Sequence, residues 1–328
     1  MIDVQRRQFL VRSIALTLLA GIRVEAQPRT YRMAYLAAGS NAASAHLQKA
    51  LFDRLEELGY REGRNLVVER RFAEGRLERL PELAAELVAL KPDIFFVNAT
   101  QATLAASKAT STIPIVFAGV ADPVGSGIIK SLGRPGTNAT GLSAQNIEIQ
   151  GKRLQLLKEV FPSASRVAVL HNPLNAPSVP MVATLMEASK TLGLALRIVE
   201  AKSEQELGLV FKVLESERPD VLYVIESPFS FGHRARIVEF ANGVRLPAVY
   251  GLQEFTEAGG LMSYSFSFIE QFRAAATFID KILKGAKPSE LPVQQPTRFE
   301  LVLNLKTAKA LGVKFPPAIL LRADRVIE

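Results

Sequence analysis

Short apolar runs and stretches of helical periodicity alternate along most of the chain. Residues 31–36 form an apolar run that stops at Gly39-Ser40-Asn41. Leu47, Leu51, Leu55 and Leu58 then share one helical face, closed by Gly59. Residues 65–69 read as a strand, 77–90 as a helix, 93–97 as a strand, 99–110 as a helix and 113–117 as a strand. Strands alternating with helices predict a parallel sheet covered on both faces.

The pattern then repeats. Arg32-Met-Ala-Tyr-Leu36 matches Arg166-Val-Ala-Val-Leu170, and Leu58-Gly59 matches Leu192-Gly193, both at an offset of 134 residues. Lys91-Pro-Asp93 and the apolar run to Val97 match Arg218-Pro-Asp220 and the run to Val224 at an offset of 127. Ile113-Pro114 matches Leu246-Pro247 at 133. Landmarks in the same order at nearly constant spacing predict two α/β lobes of one plan. A strand over 260–265, a helix over 268–284, a segment marked by Pro288, Pro292 and Pro296, a strand over 297–304 and a short helix over 305–311 follow. The apolar tail 316–324 is expected to pack. Such late elements let the chain cross between lobes more than once, which describes a hinged clamshell. The expected division is a leader over 1–26, a first lobe over 27–145 to which late elements return, and a second lobe with hinge crossings over 146–328.

The leader is read from residues 1–26. Arg6 and Arg7 precede an apolar stretch over 14–22, and small residues end at Ala26. That order is a secretory signal, too short for a spanning helix. Arg6-Arg7-Gln8-Phe9-Leu10 resembles the twin-arginine export motif, whereas Gln5 and Val11 depart from it, so the general secretory route stays open. Cleavage after Ala26 and a periplasmic location are expected. The leader's four Arg against Asp3 and Glu25 reduce the formal charge from +8 to +6 in the remainder.

The remaining composition excludes more than it suggests. With no Cys, thiolate metal sites, iron–sulfur clusters and cysteine nucleophiles are excluded. His46, His171 and His233 are too few and too dispersed for a histidine metal site, so neither metal nor cofactor is expected. Gly136-Thr-Asn-Ala-Thr-Gly141 is followed by Leu142, so a phosphate loop lacks its Lys. Gly125-Ser126-Gly127 lacks the third Gly of a dinucleotide fingerprint, and no Gly-x-Ser-x-Gly elbow occurs. Basic residues are spread out; the tightest group, Arg70 to Arg79, is interleaved with Glu74 and Glu78, a solvated face rather than a nucleic-acid track.

In open α/β sheets ligands bind beyond the carboxyl ends of the strands. Those ends carry Ser40, Asn41, Thr100, Gln101 and Asp122 in the first lobe. Asn172, Asn175, Glu226 and Gln253 occupy them in the second. These hydroxyl, amide and carboxylate groups suit a small polar solute, and helix starts beside them offer N–H groups to a carboxylate. Asp122 and Glu226 are candidates for an ammonium group, with Asp122 preferred because Pro123 leaves it few local partners. Phe229 or Tyr264 would supply an apolar wall.

Several segments resemble the ABC transporter substrate-binding proteins, including the tryptophan- and tyrosine-binding group. They are Leu58-Gly59-Tyr60-Arg-Glu-Gly63-Arg-Asn65, Asp122-Pro123-Val124, Arg134-Pro135-Gly136-Thr-Asn138-Ala-Thr-Gly141, Glu257-Ala-Gly259-Gly260-Leu-Met-Ser-Tyr264 and Ile282-Leu283-Lys-Gly285-Ala-Lys-Pro288. The resemblance implies a type I periplasmic-binding-protein clamshell, α/β, with two doubly wound parallel-sheet lobes joined by a multi-crossing hinge. It implies a monomeric receptor, not an enzyme, that delivers a small solute, such as an amino acid, to the membrane subunits of an ABC permease. The lipoprotein members carry a lipid-anchoring Cys that this chain lacks, which implies a freely diffusing protein. A two-lobed enzyme using the same cleft, and a sensor subunit that signals rather than transports, are the alternatives. A perturbed acid–base pair in the cleft would favour the first, and gene neighbours would separate the second.

Overall fold

The computed structural model describes residues 29–328. The expected leader and its cleavage site lie outside them. The first sheet is built from β1 (Tyr31–Ala37), β2 (Leu66–Phe72), β3 (Ile94–Asn98), β4 (Ile115–Val120) and β5 (Ala139–Ser143), in the order β2-β1-β3-β4-β5 and parallel throughout. Helices α1 (Asn41–Glu57), α2 (Leu80–Ala89) and α3 (Thr100–Ala109) join its strands. After α4 (Gln150–Val160) comes the second sheet: β6 (Arg166–His171), β7 (Ala195–Glu200), β8 (Val221–Val224), β9 (Ala248–Tyr250) and β10 (Met262–Ser265), in the order β7-β6-β8-β9-β10. The two orders are the same, as the sequence repeat requires. Helices α5 (Ser178–Leu192), α6 (Glu204–Glu217), α7 (Pro228–Gly232), α8 (Arg234–Gly243) and α9 (Gln253–Glu257) cover this sheet.

The repeated motif has a structural cause. Lys91 and Arg218 adopt positive φ, 50° and 46°, and turn the chain out of the preceding helix. The Asp93 carboxylate accepts from the Arg32 N–H at 2.8 Å, and Asp220 accepts from the Arg166 N–H at 2.8 Å. Each Asp thus registers one strand against its neighbour, and Arg32 and Arg166 donate to carbonyls at the ends of the helices that precede Asp93 and Asp220.

The chain passes between lobes three times. It leaves the first sheet after β5, returns as α10 (Phe268–Leu283) to pack beside α1, and leaves again through 291–299. Phe272 of α10 meets Phe96 edge-on at 5.2 Å inside the first lobe. Gln271 ties two strand ends together, accepting from the Gly119 N–H and donating to the Ser143 carbonyl. The second departure pairs Gln294 with Leu142, and β11 (Glu300–Asn304) then adds antiparallel to β10. Helices α11 (Leu305–Leu311) and α12 (Pro317–Arg322) and the edge strand β12 (Arg325–Ile327) finish the second lobe. The apolar tail packs through Ile319.

Two elements depart from expectation. Residues 136–141, read as a failed phosphate loop, lead into β5, where Gly141 passes so close to the Phe117 backbone that a Cβ would overlap it. Helix α4 was not anticipated. Its buried stripe is Gln150, Arg153, Leu154, Leu157 and Val160, an amphipathic pattern interrupted by a guanidinium. In the basic stretch from Arg70 to Arg79, Arg70 and Arg71 at the end of β2 pair with Glu62 and Glu86 rather than with the interleaved Glu74 and Glu78. Among the described residues no helix is long and apolar enough to cross a membrane.

Candidate functional site

A cavity of about 740 Å³, counting its mouth, lies between the carboxyl ends of the two sheets. The first lobe contributes the ends of β1, β3 and β4 and the helix starts after them: Ala37, Ser40, Ser44, Leu47, Asn98, Thr100, Gln101 and Gly119. The second lobe contributes Asn175, Met181, Glu226, Ser227, Phe231 and Leu252, while Asn146 and Phe268 come from the crossings.

Five of the expected residues line it. Ser40 caps α1, its Oγ accepting from the Ala43 N–H. Thr100 is buried and accepts from the Ala121 N–H. Gln101 donates to Asn175 Oδ1 at 2.6 Å, a hydrogen bond between lobes, and Asn175 donates on to Ser178. Glu226 follows β8 and is 4% exposed.

Six expected residues do not line it. Asp122 spends its carboxylate on the turn it opens, accepting from the Gly125 N–H at 2.7 Å; the loss of a donor at Pro123 did not free it. Asn172 closes a comparable turn on the Leu174 N–H. Asn41 is exposed and accepts from Gln48. Gln253 is buried at the start of α9, away from the lining. Tyr264 packs on Phe299. Phe229 enters the core of the second lobe; once Ser227 caps α7, Phe231, two positions further on, is the ring that faces the cavity.

Behind Glu226 lies a network that the sequence reading missed. Arg153 is fully buried and donates to Glu226 Oε2 at 2.9 Å, to the Tyr223 hydroxyl at 3.1 Å and to the Tyr264 carbonyl at 3.0 Å. Tyr223 donates to Gln150 at 2.6 Å, and Gln150 donates to the Asn146 carbonyl at 2.7 Å. Burial works against the charged guanidinium, but Glu226 and Tyr223 more than reverse it, so Arg153 stays a cation. Burial pushes the Tyr223 hydroxyl well above its ordinary range, so it serves as a neutral donor. A Cβ on Gly251 would overlap the Glu226 carboxylate, which explains a glycine there. The available signal was an Arg on the apolar face of α4.

Helix α3 starts inside the cavity with no side-chain cap. Its N-cap Ala99 holds φ 76° and ψ 157°, a conformation costly for any residue with a Cβ. The first N–H groups of α3 therefore face the cavity edge with positive partial charge. The remaining wall is apolar: Leu47, Met181, Leu252, Phe231 and Phe268. Among lining side chains Glu226 is the one ionisable group, and no nucleophile–base pair accompanies it. The arrangement can hold a small molecule with polar and apolar ends.

A model of the family described as ABC transporter substrate binding protein matches residues 39–327. A tyrosine-binding protein of Clostridioides difficile is 26% identical over 267 residues, 81% of this chain and 76% of its own. The crystal structure of an ABC domain in complex with L-Trp from Streptococcus pneumoniae superposes with a TM-score of 0.83 at 26% identity, covering 91% of this chain and all of its own. A leucine-binding protein of Thermotoga maritima, 14% identical, shares the fold with a TM-score of 0.60 over 86% of this chain and 87% of its own. The architecture is that of type I periplasmic binding proteins.

Proposed function

The chain belongs to the ABC transporter substrate binding protein family, and from that premise we propose that it is the periplasmic receptor of an ABC importer for an amino acid with an apolar side chain. The observation that carries this reading is the composition of the inter-lobe cavity. It has one carboxylate, several neutral hydrogen-bonding groups, an uncapped helix start and an apolar wall with two phenylalanine rings. The solute's carboxylate would meet the start of α3 and the Thr100 hydroxyl. Its side chain would lie against Phe231 and Phe268. Ser40, Gln101, Asn175 and Glu226 would complete the polar contacts. Relatives whose names specify tyrosine or L-Trp support this solute class.

The mechanism is closure. A ligand that touches both lobes binds the closed state better than the open one, and only that difference shifts the equilibrium. The closed form then docks on the permease and releases the solute. The protein binds without converting.

A thermal-shift screen over amino acids, organic acids and sugars tests the solute class. A true ligand at about 100 times its Kd adds about 2.7 kcal/mol, or roughly 5 °C in Tm. Stabilisation by sugars alone would refute the amino-acid reading. Uptake that persists after deletion of the protein would refute the importer role.

A further inference from the structure

We infer that Arg153 is the positioning residue of the site: it fixes the Glu226 carboxylate in the cavity wall and cancels its charge, so that the site selects a zwitterion over the same molecule without its ammonium group. The inference rests on the proposed amino-acid reading and adds what sets its charge selectivity.

The geometry supports it in three ways. First, Arg153 reaches the second lobe at several points. It donates to Glu226 and Tyr223, both at the end of β8, to the Tyr264 carbonyl on β10, and at 3.4 Å to the Gly251 carbonyl after β9. A guanidinium anchored this way holds the carboxylate in one place. Second, the cavity presents Glu226 as its one ionisable lining group, and Arg153 beneath it brings their sum to zero. A net charge enclosed in a closed cleft is strongly disfavoured, so a ligand of zero net charge is admitted most readily. Third, Asn146 is 6% exposed and lines the cavity, and its Oδ1 accepts no hydrogen bond among the described residues. Gln150 donates to the Asn146 backbone carbonyl and, at 3.4 Å, to Glu226, so one side chain links these two residues of the cavity lining. Together they offer acceptors to an ammonium, while a molecule carrying only a carboxylate would meet repulsion there.

The test measures a ratio. All twenty amino acids are titrated calorimetrically into the wild-type protein. Each one that binds is compared with its desamino analogue: indole-3-propionate for L-tryptophan, 3-(4-hydroxyphenyl)propionate for L-tyrosine. The wild type should favour the amino acid by about 10- to 150-fold, the range of one charge-assisted hydrogen bond. Glu226→Gln should bring the ratio to about one or invert it, because Arg153 is left as an unpaired cation that favours the anion. Arg153→Met alone leaves a buried unpaired carboxylate and is expected to fold poorly. The double variant Arg153→Met/Glu226→Gln removes both charges together and should fold, with a ratio that falls below the wild-type value because the carboxylate acceptor is gone. Gly251→Ala keeps every ionisable group but places a methyl where the Glu226 carboxylate lies, so if the carboxylate's position did not matter the ratio would stay at the wild-type value. We expect a fall of about tenfold. Amino-acid binding with an unchanged ratio in Glu226→Gln or Gly251→Ala would overturn this inference alone. Absence of binding by any amino acid would overturn the proposed function together with it.

Discussion

Asp122 shows how a strand-end carboxylate can look like a ligand group and serve the backbone instead. Its Oδ1 accepts from the Gly125 N–H. Asparagine keeps that oxygen, so Asp122→Asn should leave both solute affinity and Tm unchanged, measured by calorimetric titration and thermal melting. A tenfold loss of affinity would return Asp122 to the site. Asn172 carries the same lesson, because its side chain is used two residues on. Asx turns and ligand sites draw on the same residue types at the same strand ends, and one sequence cannot separate them. What was legible was the set of strand ends; Ser40, Thr100, Gln101, Asn175 and Glu226 came from that rule and line the cavity. What was not legible was rotation within the first turn of α7, where Phe231 rather than Phe229 faces the ligand space. Arg153 was legible in principle. An Arg among Leu154, Leu157 and Val160 on one helical face needs a buried acid, and Glu226 is the strand-end acid that supplies it.

At the scale of elements, the repeat was readable because its landmarks do structural work in both lobes. Asp220 accepts from the N–H groups of Ser165 and Arg166, which hold its carboxyl below its ordinary value. A carboxyl lowered by folding contributes stability that is present above its unfolded value of about 3.8 and is lost as pH falls through its folded value. Asp220→Ala should therefore destabilise the protein at pH 7 by about 1–3 kcal/mol. The difference from wild type should shrink below pH 4, measured by urea unfolding across that range. A pH-independent difference would show that the carboxylate's charge is not what matters. Asp93→Ala should produce a comparable loss at pH 7, because Asp93 accepts from the Arg32 N–H in the same way. Strand β5 escaped notice for the opposite reason. Ala139, Thr140, Gly141 and Ser143 are small and carry little apolar signal, and close packing against the Phe117 backbone, rather than burial of large side chains, selects them.

At the scale of the whole molecule, the lobes touch through side chains as well as through the crossings. Gln101 and Asn175 are bonded across the cavity at 2.6 Å, and His46 of α1 lies 3.6 Å from the buried Glu254 of α9. If the lobes open as proposed above, these contacts would be lost, so they would bias the ligand-free protein toward closure. A single neutral hydrogen bond of this kind is worth about 0.5–1.5 kcal/mol. Gln101→Ala should therefore move the open-to-closed ratio about two- to tenfold toward open. Affinity is a poor readout, because Gln101 also lines the cavity. The distance between lobes in the ligand-free protein is a better one. The chain has no Cys, so Arg64→Cys and Lys202→Cys, exposed positions one on each lobe, accept spin labels without a competing thiol. Pulsed electron resonance on that pair should give a longer mean distance in Gln101→Ala than in the wild-type background, and the two should converge once a saturating solute closes both. Identical ligand-free distributions would mean that the crossings alone set the resting state and that the inter-lobe bond follows closure without favouring it.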